Sequence, residues 1–351
     1  MPLTLKHLHL DPTCIASIPD ESSPEDIEFR HSLLEEALSL LDSDLWTDRK
    51  EHHGGLVETL GLPVHEVKYK LEGTEMMSPT GQRDGEGIAW HKRISKLKTR
   101  EYGGYDEWWA AMGENHTTQE KEYVDNLKDL IDIGKDEGKK GCFLKLYKLP
   151  FGATDRAFMC RSLVIKPTSK PTSDEGNSDE STKSKKDTNS DDDSTSSPLS
   201  NKPGSRSFLS FSLPVTTPEP HPAEKKYVRG MTVTVERISE EDEGKTIVWS
   251  CASLSSPGGS IPVKLGESKM AASLADAVPP ILDWIKKAHP KGSGAGGSSG
   301  GGFDSKEASA KAPVAARVTR DSKNPGGGMG LMPTARFTLA MFRRPVKLRE
   351  Y

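Results

Sequence analysis

Five segments between residues 140 and 254 constrain what the chain can fold into: KGCFLKLYKLP (140–150), DRAFMCRSLVIKP (155–167), RSFLSFSLPV (206–215), KYVRGMTVTVERI (226–238) and KTIVWSCASL (245–254). Each carries apolar residues at strand period, is rich in β-branched or aromatic side chains, and is bounded by Gly, Pro, Asp or charged turns. Five strands in a row, mostly joined by hairpin-length connections, predict an antiparallel sheet. The last two form a hairpin, with Met231, Val233 and Val235 on one alternation and Ile247, Trp249 and Cys251 on the next strand as lining or core; Thr232, Thr234 and Glu236 face the other way. Parity alone does not say which face is inward.

The sheet needs covers, and the flanking sequence supplies them. SPEDIEFRHSLLEEALSLLDSD opens with Ser23 as N-cap, Pro24 at the first helical position and acids in the first turn. Ile27, Leu33, Leu34, Leu38 and Leu41 make one apolar stripe. VHEVKYKLEG and GIAWHKRISKLKT alternate as half-buried strands, and YDEWWAAMGENHTTQEKEYVDNLKDLIDIG returns to helical period. SKMAASLADAVPPILDWIKKAH predicts a closing helix. Asp276 is its N-cap, Pro279 and Pro280 sit in its first turn, and Ala277, Ile281, Leu282, Ile285 and Ala288 form the buried stripe. The economical architecture is α+β: a curved antiparallel sheet wrapped around one long apolar helix.

Composition limits how much of the 351 residues is packed: 33% are hydrophobic and 6% aromatic, with 32 Gly and 24 Pro. Residues 168–206 are almost wholly polar, cannot offset their ordering entropy by burial, and are expected to be a disordered insert. From 290 the chain reads as a Gly/Ser linker, then a basic apolar tail ending at 351. The expected organisation is an N-terminal extension (1–24), a core domain (25–289) and a disordered tail (290–351). The net charge of −4 gives no global field favouring nucleic acid. Cys14, Cys142, Cys160 and Cys251 lack CxxC spacing, no signal peptide opens the chain, and no apolar run reaches the roughly 18 residues that span a bilayer. A soluble protein of a reducing, cytoplasmic compartment is expected.

VRGMTVTVERI, then TIVWSCASLSSPGGSIPVKL, then ADAVPPILDWIKK resembles the terminal third of START-type lipid-transfer domains. AWHKRIS, YDEWWAAMGENHTTQEKEYV, LKLYKLPFGATDRAFMCRSLVI and FSLPV bring the chain closer to a fungal START-like family of unknown function. The resemblance implies a helix-grip fold with a cavity between sheet and closing helix, used in the superfamily for sterols, phospholipids and other apolar ligands. The chain departs from the family turn by reading SSPGG where an Asp is usual, which puts any role of that Asp in doubt here, and by its insert.

Candidate cavity-lining residues are Trp90, Leu209, Phe211, Val233 and Trp249, with solid core as their alternative role. Arg93, Arg161 and Glu236 lie inside apolar alternations, as polar anchors for a head group or as outward-facing edge charges. His116 and Glu120 stand four apart on a helix, but no second pair joins them, so an exposed face is expected and no metal; the glycine clusters of the tail lack phosphate-loop context and no cofactor is implied. No nucleophile elbow, triad or acid pair points to catalysis. The expected activity is binding, with transfer, of a lipid or other apolar small molecule. Alternatives are an interaction scaffold with a collapsed cavity and a cavity enzyme. Ser190, followed by three aspartates, suits a kinase, and the tail, with Phe337, Leu339, Met341 and Phe342 among Arg336, Arg343, Arg344, Lys347 and Arg349, suits peripheral contact with an anionic membrane or a partner groove. Protein partners are not legible.

Overall fold

A computed structural model describes residues 3–63, 67–69, 88–113, 116–135, 137–149, 154–167, 206–259 and 261–288. In chain order the elements are β1 (Leu3–Leu5), β2 (Thr13–Cys14), α1 (Pro24–Leu41), β3 (Thr47–His52), β4 (Val57–Leu62), β5 (Val67–Tyr69), β6 (Trp90–Lys98), α2 (Thr99–Tyr102) and α3 (Tyr105–Met112). They continue with α4 (His116–Tyr123), β7 (Leu127–Asp132), β8 (Cys142–Tyr147), β9 (Arg156–Ile165), β10 (Ser207–Thr216), β11 (Val228–Glu241), β12 (Thr246–Ser256), α5 (Val263–Asp276) and α6 (Val278–Ala288). The main sheet runs β3-β4-β6-β12-β11-β10-β9-β8-β7, with β2 added beside β10. Its neighbours along that path are antiparallel, as five consecutive alternating segments require.

Both faces of this sheet are covered. On one, Leu209, Phe211, Val233, Val235, Leu254 and Trp90 pack against Leu33, Ala37, Leu40 and Leu41 of α1 and against Leu5, Leu8 and Leu10. The α1 start is as the sequence dictates: Ser23 Oγ accepts from the Asp26 amide at 3.1 Å and Pro24 occupies the first turn. On the other face, Leu97, Ile247, Trp249, Ile238 and Phe208 pack against Trp108 and Met112 of α3, Tyr123 of α4 and Val278, Ile281, Leu282 and Ile285 of α6. This is the α+β helix-grip fold, its C-terminal helix laid on the sheet.

Residues 3–18, set outside the core on sequence grounds, are packed. Leu5, Leu8, Leu10 and Ile15 are fully buried, because the α1 face is wider than α1 alone can cover. The stretch 105–134 is not continuously helical: it breaks at Gly113 into α3 and α4, then becomes β7, whose Leu127–Asp132 pairs with β8. The closing helix is two helices. Asp276 ends α5 rather than capping α6, Pro279 and Pro280 do fall in the first turn of α6, and Ala288 is exposed. The strands β3 and β4 carried no clear alternation of their own, since β3 is exposed along nearly its whole length. The expectations for the insert and the tail lie outside the described residues, apart from Arg206, which pairs with Glu240 at 3.0 Å and Asp106 at 2.9 Å.

The SSPGG turn that ends β12 has a steric basis. Gly258 and Gly259 both have positive φ, and a Cβ on Gly258 would stand 2.0 Å from the Arg229 carbonyl oxygen. The Arg156 guanidinium donates to the Pro257 carbonyl at 2.7 Å, so the turn is also tied to the start of β9.

Candidate ligand-binding site

Cross-strand register settles which residues share the face beneath α3, α4, α5 and α6. One row reads Thr59, Arg93, Cys251, Glu236, Ser210 and Val164 across β4, β6, β12, β11, β10 and β9. The next reads His91, Ser253, Thr234, Ser212 and Ser162. Only the third row, Ser95, Trp249, Ile238 and Phe208, is mostly apolar. Directly opposed residues of antiparallel strands point to one side, so the middle of this face is hydroxyl-rich and charged although helices cover it.

At its centre Arg93 is 1% exposed. Its guanidinium lies over the Trp249 ring at 3.7 Å and reaches Glu236 at 3.5 Å, while the Trp249 indole donates to the same Glu236 carboxylate at 2.6 Å. Burial, with the Glu236 charge beside it, pushes the Cys251 thiol up. The Arg93 Nε and Nη1 atoms are buried without a partner, as are Ser95 Oγ beside it on β6 and Ser273 Oγ on α5, which packs on β4 and β6. Buried polar groups are ordinarily bonded, and these atoms depart from that rule.

A second charged group sits under α4. Lys145 donates to both Glu120 oxygens at 2.6 and 2.8 Å, and Ser162 and Thr117 share a hydrogen bond of 2.5 Å. Burial works against the Lys145 ammonium, but the Glu120 charge outweighs it and raises its pKa. Burial first, with the Glu120 charge adding to it, raises Tyr147, Cys160 and Tyr123, so neither thiol on this face is a ready thiolate. His116 stands 3.9 Å from Glu120 and 3.4 Å from Ser210. The helix face of His116 and Glu120 is therefore turned inward, contrary to the exposed face expected from sequence, because the sheet opposite is itself polar. The ends of α5 are tied by His91 to Glu267 at 2.9 Å and His53 to Asp276 at 3.3 Å.

Residues 90–285, more than half of the chain, match the sequence profile of a family described as protein of unknown function (DUF3074). The chain belongs to the DUF3074 family. The matched span starts at the first residue of β6 and ends in α6, so the polar rows of this DUF3074 protein from Arg93 onward, and the helices over them, fall inside it. No curated protein matches. Among solved structures it is similar to human STARD10 at 12% identity, over 78% of this chain and 84% of that one, with a TM-score of 0.44. It is also similar to a STAR-related lipid transfer protein from Xanthomonas axonopodis at 12% identity, over 69% and 99%, with a TM-score of 0.41. The human StarD13 lipid transfer and protein localization domain gives 10% identity, 74% and 95% coverage and a TM-score of 0.41.

The sequence-derived site residues divide between the two faces. Trp90, Leu209, Phe211 and Val233 lie together beneath α1, each at most 1% exposed in the packed core. Trp249 lies on the opposite face with Arg93 and Glu236, and those three touch. Arg161 is on the α1 face, where it donates to Asp26 at 2.9 Å. Burial opposes the Asp26 charge, but hydrogen bonds from Arg30 and Arg161 prevail and lower its pKa. Register separates the hairpin sets that were grouped together: Val233 opposes Leu254 and Val235 opposes Ala252, whereas Trp249 opposes Ile238. Lys145, Ser95, Ser273 and His91 were missed. A lysine at the centre of the apolar FLKLY was the available signal for the first, and nothing local distinguishes the others.

Proposed function

We propose that this protein reversibly binds, and transfers, an amphipathic small molecule between the sheet and the helices α3 to α6, with its polar end at Arg93. The observation that carries the reading is the buried, unanswered set of Arg93 Nε and Nη1, Ser95 Oγ and Ser273 Oγ. A head group with acceptor oxygens answers these donors, and Glu236 already balances the guanidinium charge, so a neutral head such as a hydroxyl or an ester carbonyl suits the site. The apolar body gains on the order of 25 cal/mol per Å² removed from water against Trp108, Trp249 and the α6 residues. Carriage of a lipid between membranes fits a chain in which no described helix is long and apolar enough to cross one.

The test is native mass spectrometry and lipid extraction on protein purified from a eukaryotic host, comparing wild type with Ser253→Phe, which adds a ring to the second polar row. A defined amphipathic molecule in wild type, absent from a folded Ser253→Phe, is the expected result. Empty preparations of both, also after challenge with lipid vesicles, contradict it and favour an interaction scaffold.

A cavity enzyme is the second reading, favoured by Lys145, Glu120, His116 and Ser210 on the same face. It requires chemical conversion of the co-purified molecule that Glu120→Gln abolishes while binding persists.

A further inference from the structure

β9 outruns its neighbour. Its pairing with β8 stops at Arg161, and beyond it Ser162, Leu163 and Val164 border a pocket of about 390 Å³, a volume in the range of small-molecule sites. The Ser162 amide donates to the Gly141 carbonyl at 2.7 Å. Alternate residues of a strand turn their backbone groups to the same edge, so the Val164 N–H faces this edge too, and no described strand pairs with it there. Four cations line the pocket, Arg30 of α1, Lys139 and Lys140 of the β7–β8 connection, and Arg161, against one lining acid, Glu21. His116, Thr117 and Ser210 add an imidazole and two hydroxyls, and Trp109 and Phe143 an aromatic wall.

At the buried end of the pocket the cations outnumber their partners. A single carboxylate, Asp26, serves both Arg30 at 2.6 Å and Arg161 at 2.9 Å. Arg161 is 6% exposed, and its Nε is buried without a partner. At the open end Lys139 pairs with Asp20 at 2.6 Å and Lys140 with Glu21 at 2.8 Å, but both acids are more than half exposed, and such surface pairs contribute little. Glu120, 3.9 Å from His116, is taken up by Lys145. A compact dianion with three terminal oxygens meets this arrangement, because it balances the charge that Asp26 leaves over and accepts from the Arg161 Nε–H and the lysine ammoniums together. We propose that the pocket binds a phosphate monoester, its phosphoryl group among Arg161, Arg30, Lys139 and Lys140 and its organic part against Trp109 and Phe143. A lipid head group and a soluble phosphate ester present this same chemistry. The site does not rest on the one at Arg93: Ser210, which lines the pocket, stands in the Arg93 row but three strands away, about 14 Å at the usual strand spacing.

The probe is phenyl phosphate, followed on the full chain by isothermal titration and by the ¹⁵N–¹H indole signals. The Trp109 signal should move on titration while those of Trp90 and Trp249 stay in place, which separates this site from the one at Arg93. Phenyl phosphate should bind at least about tenfold tighter than its monomethyl ester, which carries one charge fewer. Lys140→Glu, at an exposed side chain, should weaken binding at least about fivefold. Arg161→Lys keeps a charge beside Asp26 but loses the Nε donor, and should weaken it at least about tenfold, with thermal melting to verify that each variant is folded. Sedimentation with phosphatidylcholine vesicles containing phosphatidic acid or phosphatidylglycerol tells the two sources apart. Capture by phosphatidic acid alone, lost in Lys140→Glu, assigns the site to a lipid head group, whereas phenyl phosphate binding without capture assigns it to a soluble ester. No binding of phenyl phosphate, equal affinity for the monomethyl ester, unchanged affinity in Lys140→Glu, or a Trp109 signal that stays in place during binding would overturn the proposal.

Discussion

The two faces of the sheet are made by the same strands and solve different problems. Odd residues of β11 and even residues of β12 build a dry face beneath α1, with Val233, Val235, Ala252 and Leu254 filling it. The alternate residues of the same strands give Thr234, Glu236, Cys251 and Ser253 beneath the helices α3 to α6. Burial alone therefore does not distinguish core from site. Neither do unanswered atoms, since Arg161 Nε on the α1 face and Arg93 Nε and Nη1 on the other are all buried without a partner; what differs is that hydroxyls and charges fill the middle rows of the second face.

The contrast can be broken most sharply by cutting into the dry face. Phe211→Ala should cost about 3–5 kcal/mol in urea denaturation while ligand retention, measured on the folded fraction, is unchanged. Loss of ligand with little loss of stability would reverse the assignment of the faces.

Arg93→Met should cost about 3 kcal/mol, since Glu236 is left buried with only the Trp249 indole. Adding Glu236→Gln should recover part of that, and a double-mutant cycle measures the coupling. Additive effects would mean that the 3.5 Å pair contributes no mutual stabilisation.

Lys92 provides a smaller test on the dry face. Burial, with Arg237 nearby, lowers its pKa to about 8, and its ammonium donates to the Leu41 carbonyl at the end of α1. The folded state releases this proton at lower pH than the unfolded chain does, so below pH 8 the charged form carries a constant penalty. Stability relative to Lys92→Met should be flat there and rise between pH 8 and about 10.5, by on the order of 2 kcal/mol or less. A decline over that window would contradict the sign.

The smallest expected effect is the most selective. Ser273→Ala removes a buried hydroxyl that has no partner, so stability should change by less than about 0.5 kcal/mol. Affinity for the co-purified molecule should nonetheless fall, as read by its retention in native mass spectrometry.

The fold was legible because strand period, capping and turn chemistry agree locally: Ser23, Pro24 and the SSPGG turn each appear in the role their residue types require. The site was legible only in part. Arg93 and Glu236 announced themselves as charges inside apolar alternations, and Trp249 adjoins both. Trp90, Leu209, Phe211 and Val233 share the apolar face beneath α1, and apolarity alone does not separate a lining residue from solid core. Choosing between faces needs the position of α1 against that of α6, information carried by register and not by any one strand. Arg161 illustrates the same limit, since its partner Asp26 lies 135 residues away.

The chain has six tryptophans, and two of them report on the opposing faces. Trp249 donates to Glu236 beneath the helices, and Trp90 lies in the core beneath α1. The most direct measurement is a ¹⁵N–¹H spectrum of the indole signals, assigned by single Trp→Phe substitutions, recorded on delipidated protein before and after reloading with the extracted ligand. Binding at Arg93 predicts that the Trp249 signal moves while that of Trp90 stays in place. Movement of Trp90 with Trp249 unchanged would put the ligand on the other face and contradict the account.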